Sequence, residues 1–141
     1  MISCDTNILF PAIEASHANH GAARAFLEAQ AENEVFALCE LVLIEVYVLL
    51  RNPLLLARPL DAATAAGRIA NLRDNPYWAL LDYPGGLMSD VWREASRSAA
   101  YRRIFDIRLA LTLRHHGVRE FATANVKDFK GLGFERVWNP L

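Results

Sequence analysis

Residues 2–7 read Ile2-Ser3-Cys4-Asp5-Thr6-Asn7, a short apolar run that ends in a carboxylate followed by two small polar residues. Such a run is typical of a buried strand in a parallel sheet. The carboxyl ends of parallel strands meet at one edge of the sheet, where open α/β folds build their binding sites. The stretch therefore predicts an α/β fold whose first strand carries Asp5 into a functional site.

The rest of the chain alternates short strands with single or paired helices. Residues 12–30 carry helical signal, and a new helix is expected to begin near His20. We predict strands over residues 2–4, 35–38, 77–81, 121–124 and 136–138, and helices over residues 40–51, 62–73, 87–98 and 104–116. This alternation predicts a three-layer α/β sandwich, with a central parallel sheet of four to five strands flanked by helices. With no repeat or linker, residues 1–141 are expected to form a single domain.

The composition is that of a folded globular protein. Of the 141 residues, 53% are hydrophobic and 22% are charged, which argues against disorder. No apolar run approaches the ~20 residues that span a bilayer, and Asp5 interrupts any signal-peptide pattern. Cys4 and Cys39 lie in apolar surroundings and are expected to be reduced, buried thiols. These features predict a cytoplasmic protein with no membrane contact.

Two further acids interrupt apolar helical stretches, Glu45 within residues 41–50 and Asp106 within residues 105–111. Acids that face a core are costly unless they are paired or bind a cation. Each acid has an alternative role that involves no metal. For Glu45 it is an ion pair with a core-facing arginine, and for Asp106 it is capping of the N-terminus of its helix. For Asp5 the alternative role is to form an Asx-turn after the strand. Taken together, the three acids predict one shared Mg²⁺ or Mn²⁺ site.

A carboxylate cluster of this kind predicts hydrolysis of a phosphodiester. One or two bound ions polarise the phosphate and lower the pKa of a bound water. The chain has no Ser-His-Asp order, P-loop or Gly-rich dinucleotide motif that would indicate another chemistry. Its histidines lack the spacing of zinc ligands. They form two pairs, His17 with His20 and His115 with His116.

The net charge of −1 hides an asymmetry along the chain. Residues 1–90 carry a balance of −6 and residues 91–141 a balance of +5, and thirteen of the fifteen cations are arginine. Arginine suits forked contacts with phosphate. The basic stretch 93–114 is either a solvated helix face or a surface that follows a nucleic-acid backbone. The candidates for backbone contact are Arg97, Arg102, Arg103 and Arg108.

Several sequence blocks, in this order and spacing, resemble those of PIN-domain ribonucleases, and among them the VapC-type toxins of bacterial toxin–antitoxin pairs. The resemblance covers essentially the whole chain, to the closing Asn139-Pro140. The blocks are Asp5-Thr6-Asn7-Ile8-Leu9, Leu43-Ile44-Glu45-Val46, Leu50-Arg51-Asn52-Pro53, Asp106-Ile107-Arg108-Leu109-Ala110 and Ala122-Thr123-Ala124-Asn125-Val126-Lys127-Asp128-Phe129.

The resemblance implies a Mg²⁺-dependent endoribonuclease with a central first strand. Asp5 and Asp106 would bind the ion directly, and Glu45 would bind it through water or orient the attacking water. Thr6 or Asn7 would hold the first acid or a metal-bound water. The resemblance also implies an RNA substrate, a homodimer, and a small antitoxin that inserts a segment into the active-site groove.

One position departs from the family pattern. Many members carry a fourth acid where this chain has Asn125, and Asp128, three residues on, either supplies a carboxylate or forms a turn. Fewer negative charges favour one firmly bound ion. The substitution also supports an alternative function, that of a non-catalytic PIN-like module that binds RNA or protein. A phosphohydrolase of the haloacid-dehalogenase type is disfavoured, because Asn7 stands where that chemistry needs a second acid.

Overall fold

The structure is a computed structural model that describes all 141 residues. It contains five strands and seven helices. In chain order they are β1 (Ile2–Cys4), α1 (Thr6–Ile13), α2 (His20–Ala29), β2 (Phe36–Cys39), α3 (Glu40–Leu50), α4 (Ala62–Arg73), β3 (Ala79–Leu81), α5 (Met88–Ala95), α6 (Arg103–His115), β4 (Glu120–Ala122), α7 (Val126–Phe129) and β5 (Arg136–Trp138).

All five strands are parallel and lie in the order β3-β2-β1-β4-β5. The chain moves from β1 outward to β3, then crosses back to β4 and β5. Because parallel crossovers are right-handed, this reversal puts α1–α4 on one face of the sheet and α5–α7 on the other. Contacts of α1 with α2 and α3, of α5 with α6, and of α6 with α7 agree with that division. The predicted three-layer α/β fold with a central first strand is confirmed.

The hydrophobic core lies on both faces of the central strands. All four residues of β2 are buried, as are the last two of β1. Phe121 of β4 is fully buried, with ring centroids 4.7 Å from Phe129 and 5.2 Å from Phe134. This aromatic group anchors β4 and the short helix α7 that follows it. The end of β4 is therefore held by packing, which matters because the site lies there.

The two cysteines are free and buried, as the sequence predicts. Burial raises the pKa of both the Cys4 and the Cys39 thiol, so neither is a reactive thiolate at neutral pH. None of the seven helices combines the length and apolar character required to cross a membrane.

Most predicted elements lie within three residues of their observed bounds, and the helix 62–73 and strand 136–138 agree at both ends. Asp61 caps α4 as expected, accepting a hydrogen bond from the Thr64 backbone N–H at 2.7 Å. Two helices were not predicted. The first, α1, has apolar residues on most sides and contains Pro11, which hides its periodicity. The second, α7, is only four residues long.

Candidate active site

The site lies where β1 and β4 end side by side at the carboxyl edge of the sheet. Crossovers leave these neighbouring strands toward opposite faces, which opens a crevice between them. Asp5 follows β1, is only 7% exposed, and donates its backbone N–H to the Ala122 carbonyl at 2.9 Å. Its Oδ1 accepts from the Thr6 backbone N–H at 2.8 Å and so caps α1. Asp5 is therefore held by the backbone at the crevice.

A second set of hydrogen bonds holds the other carboxylate oxygen of Asp5. Oδ2 accepts from Thr123 Oγ1 at 2.6 Å and from Asn7 Nδ2 at 3.0 Å. Asn7 Oδ1 in turn accepts from the Ala124 backbone N–H at 2.9 Å. Asn7 thus holds the Asp5 carboxylate together with Thr123, a partner whose contact the sequence did not reveal. The only sequence signal for it was a lone hydroxyl at the end of an apolar strand.

Glu45 lies on α3, and its Oε2 accepts a hydrogen bond of 2.6 Å from Thr6 Oγ1. The expectation that this acid faces the core is wrong, because Glu45 is exposed. Its helix also exposes Ile44 and Val48, so the apolar run is not buried on all sides. The alternative of an ion pair with a core-facing arginine is also wrong, since Glu45 forms no salt bridge.

Asp106 is half-buried in the first turn of α6. The alternative role of helix cap is wrong, because Arg102 occupies the N-cap and no side chain makes a capping hydrogen bond there. Burial raises the pKa of the Asp106 carboxyl above its ordinary value. The charges of Asp128 and Glu45 act in the same direction, and Arg103 opposes them. Asp106 therefore needs an explanation other than helix capping.

The three acids line one cavity of about 180 Å³, and none of them forms a salt bridge. Burial raises the pKa of Asp5 to about 6, against the hydrogen bonds from Thr123 and Thr6, and the charges of Glu45 and Asp106 add to the rise. Acids that repel one another across a shared cavity create a region of negative potential, which attracts cations.

The donor set suits a hard divalent cation. Carboxylate oxygens are the ligands that Mg²⁺ and Mn²⁺ prefer, and a cation would relieve the repulsion by Glu45 and Asp106 that adds to the effect of burial on the pKa of Asp5. In the side-chain positions of the structure, however, no three Asp, Glu, His or Cys groups are arranged to hold a metal ion. Asp5 is turned toward Thr123, and Glu45 toward Thr6. The chemistry of the residues fits a metal, and ligation requires a change in side-chain position.

The fourth position of the family pattern is occupied by Asn125, at the N-cap of α7. Its side chain makes no capping bond, while its backbone N–H donates to Thr123 Oγ1 at 3.0 Å. Asn125 lines a larger cavity of about 490 Å³ together with Asp5 and Asp106. Asp128 is exposed and lines neither cavity, although its charge raises the pKa of Asp106. Asn125, not Asp128, therefore faces the site.

Among the candidate arginines, only Arg108 lines the cavity of the three acids. Its guanidinium carbon lies 4.9 Å from the centroid of the Tyr83 ring, and it forms no salt bridge. Its buried Nε has no hydrogen-bond partner. Arg108 thus brings an unpaired cation into the wall of an acidic cavity.

The other three arginines lie outside this cavity. Arg97 pairs with Glu94 at 3.6 Å and lines a separate cavity with Arg103. Arg102 is the exposed N-cap residue of α6. The basic stretch is also not one helix, because α5 ends at Ala95 and α6 begins at Arg103. Arg103 is nevertheless close enough to Asp106 that its charge opposes the rise in the pKa of that acid.

The raised pKa of Asp5 gives stability a pH dependence that can be measured. A carboxyl group whose pKa is about 6 when folded and 3.8 when unfolded stabilises the fold while it is protonated. That contribution is complete below pH 3.8 and is lost as the pH rises through 6. In EDTA, the unfolding free energy of the wild type relative to Asp5→Asn should fall by about 3 kcal/mol between roughly pH 3.5 and 7.5. Urea titrations across this range measure it, and a constant difference would contradict the environment described for Asp5.

The parallel sheet and the carboxylates at its edge define an α/β protein, and comparison with known proteins identifies the family. The PIN domain matches residues 2–135, and the chain belongs to the PIN-domain family. It is 50% identical over 142 residues to ribonuclease VapC24 of Mycobacterium tuberculosis, covering 100% of this chain and 97% of that protein.

Solved structures share the fold at low sequence identity. FitAcB from Neisseria gonorrhoeae superposes with a TM-score of 0.65 at 17% identity, covering 99% of this chain and 98% of that chain. VapC20 of Mycobacterium tuberculosis, a toxin that cleaves the sarcin–ricin loop, has a TM-score of 0.61 at 18% identity, covering 86% and 87%. A toxin–antitoxin complex from Klebsiella pneumoniae has a TM-score of 0.63 at 19% identity, covering 100% and 98%. The resemblance to PIN-domain proteins of the VapC type is confirmed.

Proposed function

We propose that this protein is a Mg²⁺- or Mn²⁺-dependent endoribonuclease and the toxin of a toxin–antitoxin pair. The observation that carries the proposal is the convergence of Asp5, Glu45 and Asp106 on one cavity, with no cation paired to any of them. Identity of 50% over the full chain to a protein named as a ribonuclease supports the same function.

In this proposal, the three acids hold the metal ion. Asp5 and Asp106 are its direct ligands, and Glu45 reaches it through water or orients the attacking water. Thr123 and Asn7 hold the Asp5 carboxylate, and Thr6 holds Glu45 through its 2.6 Å hydrogen bond, so both acids would turn from these partners to reach the ion. When bound, the ion would polarise the phosphodiester and lower the pKa of a nearby water.

The proposal includes a single firmly held ion. Asn125 stands in the wall of the larger cavity without a charge, and Asp128 lines neither cavity. A second divalent cation would gain too little negative charge from these side chains to bind tightly. The RNA backbone would approach the ion past Arg108, the only cation in the wall of the acid cavity.

The proposed partners are RNA, a cognate antitoxin and a second copy of the chain in a homodimer. Exposed apolar side chains support the two protein contacts, because Leu54 is 96% and Leu55 52% exposed on the loop after α3. We place the protein in the cytoplasm, the compartment in which two free cysteines stay reduced.

Cleavage of RNA by the purified protein tests the function. Total RNA is incubated with Mg²⁺, with Mn²⁺ or with EDTA, and Mn²⁺ binding is titrated separately. We expect cleavage with either ion, none detectable in EDTA, and close to one tightly bound ion per chain. Restoring Mg²⁺ after EDTA should restore cleavage, which excludes damage to the protein.

Two results would count against the proposal in different ways. Cleavage that persists in EDTA would remove the metal from the mechanism. RNA binding without cleavage under any metal would favour the non-catalytic PIN-like module, for which the uncharged Asn125 is the supporting observation.

A further inference from the structure

The cavity of the three acids has an apolar side that metal binding leaves unexplained. Beside the carboxylates, its wall contains Ile44, Phe105 and Leu109, and its volume is about 180 Å³. A site that held only a hydrated cation and a phosphate would gain nothing from apolar surface. The apolar side therefore indicates that another part of a ligand enters the cavity.

Phe105 and Ile44 are the most exposed apolar members of this wall, at 63% and 60%. Phe105 is absent from the hydrophobic core and forms no ring pair with another aromatic side chain. Each of the two directly precedes an acid of the site, Glu45 on α3 and Asp106 on α6. The fold thus places an exposed aromatic ring and an exposed aliphatic side chain in the wall of the acidic cavity.

Arg108 adds the third chemical group. It is the only cation in this wall, its guanidinium lies over Tyr83, and its buried Nε has no hydrogen-bond partner. A nucleotide is complementary to this set of groups, because its base offers a flat π face and its phosphate offers acceptors for an arginine. An apolar side chain from a partner protein would cover Phe105 and leave Arg108 unpaired.

We propose that the cavity is a nucleotide subsite, in which a nucleobase of single-stranded RNA stacks on Phe105 and against Ile44, next to the phosphate that is cut. This inference rests on the proposed ribonuclease function and adds to it a contact that selects unpaired bases. A base inside a helix cannot present its face, so the subsite admits loops and single strands.

Binding of short RNAs tests the subsite. The probes are single-stranded oligoribonucleotides about ten nucleotides long, each with 2-aminopurine at one position, titrated in EDTA so that they stay intact. Phe105→Ala should weaken binding of the best probe by about 10- to 100-fold and remove the quenching of 2-aminopurine that stacking causes. Phe105→Tyr keeps the ring and should keep both signals. In Mn²⁺, Phe105→Ala should raise KM for cleavage more than it lowers kcat.

Tyr101→Ala is the matched control, because Tyr101 is 87% exposed and lies outside the cavity. It should bind every probe as the wild type does. If Phe105→Ala binds and cleaves like the wild type, the subsite is wrong and the ribonuclease function stands. If the wild type neither binds nor cleaves RNA, the function itself fails. Loss of a dimer or of an antitoxin complex in Phe105→Ala, with RNA affinity unchanged, would assign Phe105 to a protein interface and overturn the proposal.

Discussion

Asp5→Asn is expected to lower the rate of RNA cleavage by about 100-fold or more, without unfolding the protein. A metal ion contributes several kcal/mol to a phosphodiester transition state, and each ~1.36 kcal/mol corresponds to a factor of ten. The introduced amide would keep an acceptor oxygen for the Thr6 N–H that caps α1, so the helix still begins at the same residue. Steady-state cleavage of a defined RNA measures the loss, with the fold checked by circular dichroism.

The control for this variant is Asp90→Asn, which removes one negative charge from the surface. Asp90 lies on α5, is paired with Arg93 at 2.8 Å and lines neither cavity of the site. It should cleave at the wild-type rate. Cleavage by Asp5→Asn within a few-fold of the wild type would show that Asp5 is not a ligand, whatever the second variant does.

Phe121→Ala is expected to lower the unfolding free energy by about 3–5 kcal/mol, the usual cost of removing a fully buried phenylalanine. The loss is at the upper end because two rings, those of Phe129 and Phe134, lose their partner together. Urea denaturation at neutral pH measures it. Cleavage should fall as well, because β4 carries Thr123 to Asp5.

Phe105→Ala is the matched control for stability, since it makes the same substitution at an exposed ring. It should change the unfolding free energy by less than about 0.5 kcal/mol. Equal losses in the two variants would mean that the Phe105 ring is packed in solution rather than exposed. A small loss for Phe105→Ala also separates its effect on RNA binding from any effect on folding.

The sequence predicted the architecture well because its central strands are mostly buried and several of its helices have clear ends. Asp61 before α4 and Pro53 after α3 are local signals that do not depend on distant contacts. Short elements were missed, notably α1, which follows the strand with no intervening loop even though Asp5 caps it. The location of Asp5 at a sheet edge followed from its place directly after a short apolar strand.

Parts of the site could not be predicted, because they depend on how distant segments meet. An acid within an apolar helix predicts a buried side chain, yet Glu45 is exposed because its helix is covered on one side only. The hydroxyl of Thr123 reaches Asp5 across 118 residues of sequence, and no local pattern marks that contact. Nor does spacing show that Arg108 faces the cavity while Arg97 does not.

The position of β1 between β2 and β4 also determines when the surroundings of Asp5 are completed during synthesis. Asp5 is synthesised 118 residues before Thr123, the residue that holds its carboxylate. At about 5–20 residues per second, the two are separated by roughly 6 to 24 seconds of translation. The carboxylate site to which we assign RNA cleavage is therefore complete only after β4 and Thr123 have been added, well after the strand that carries Asp5.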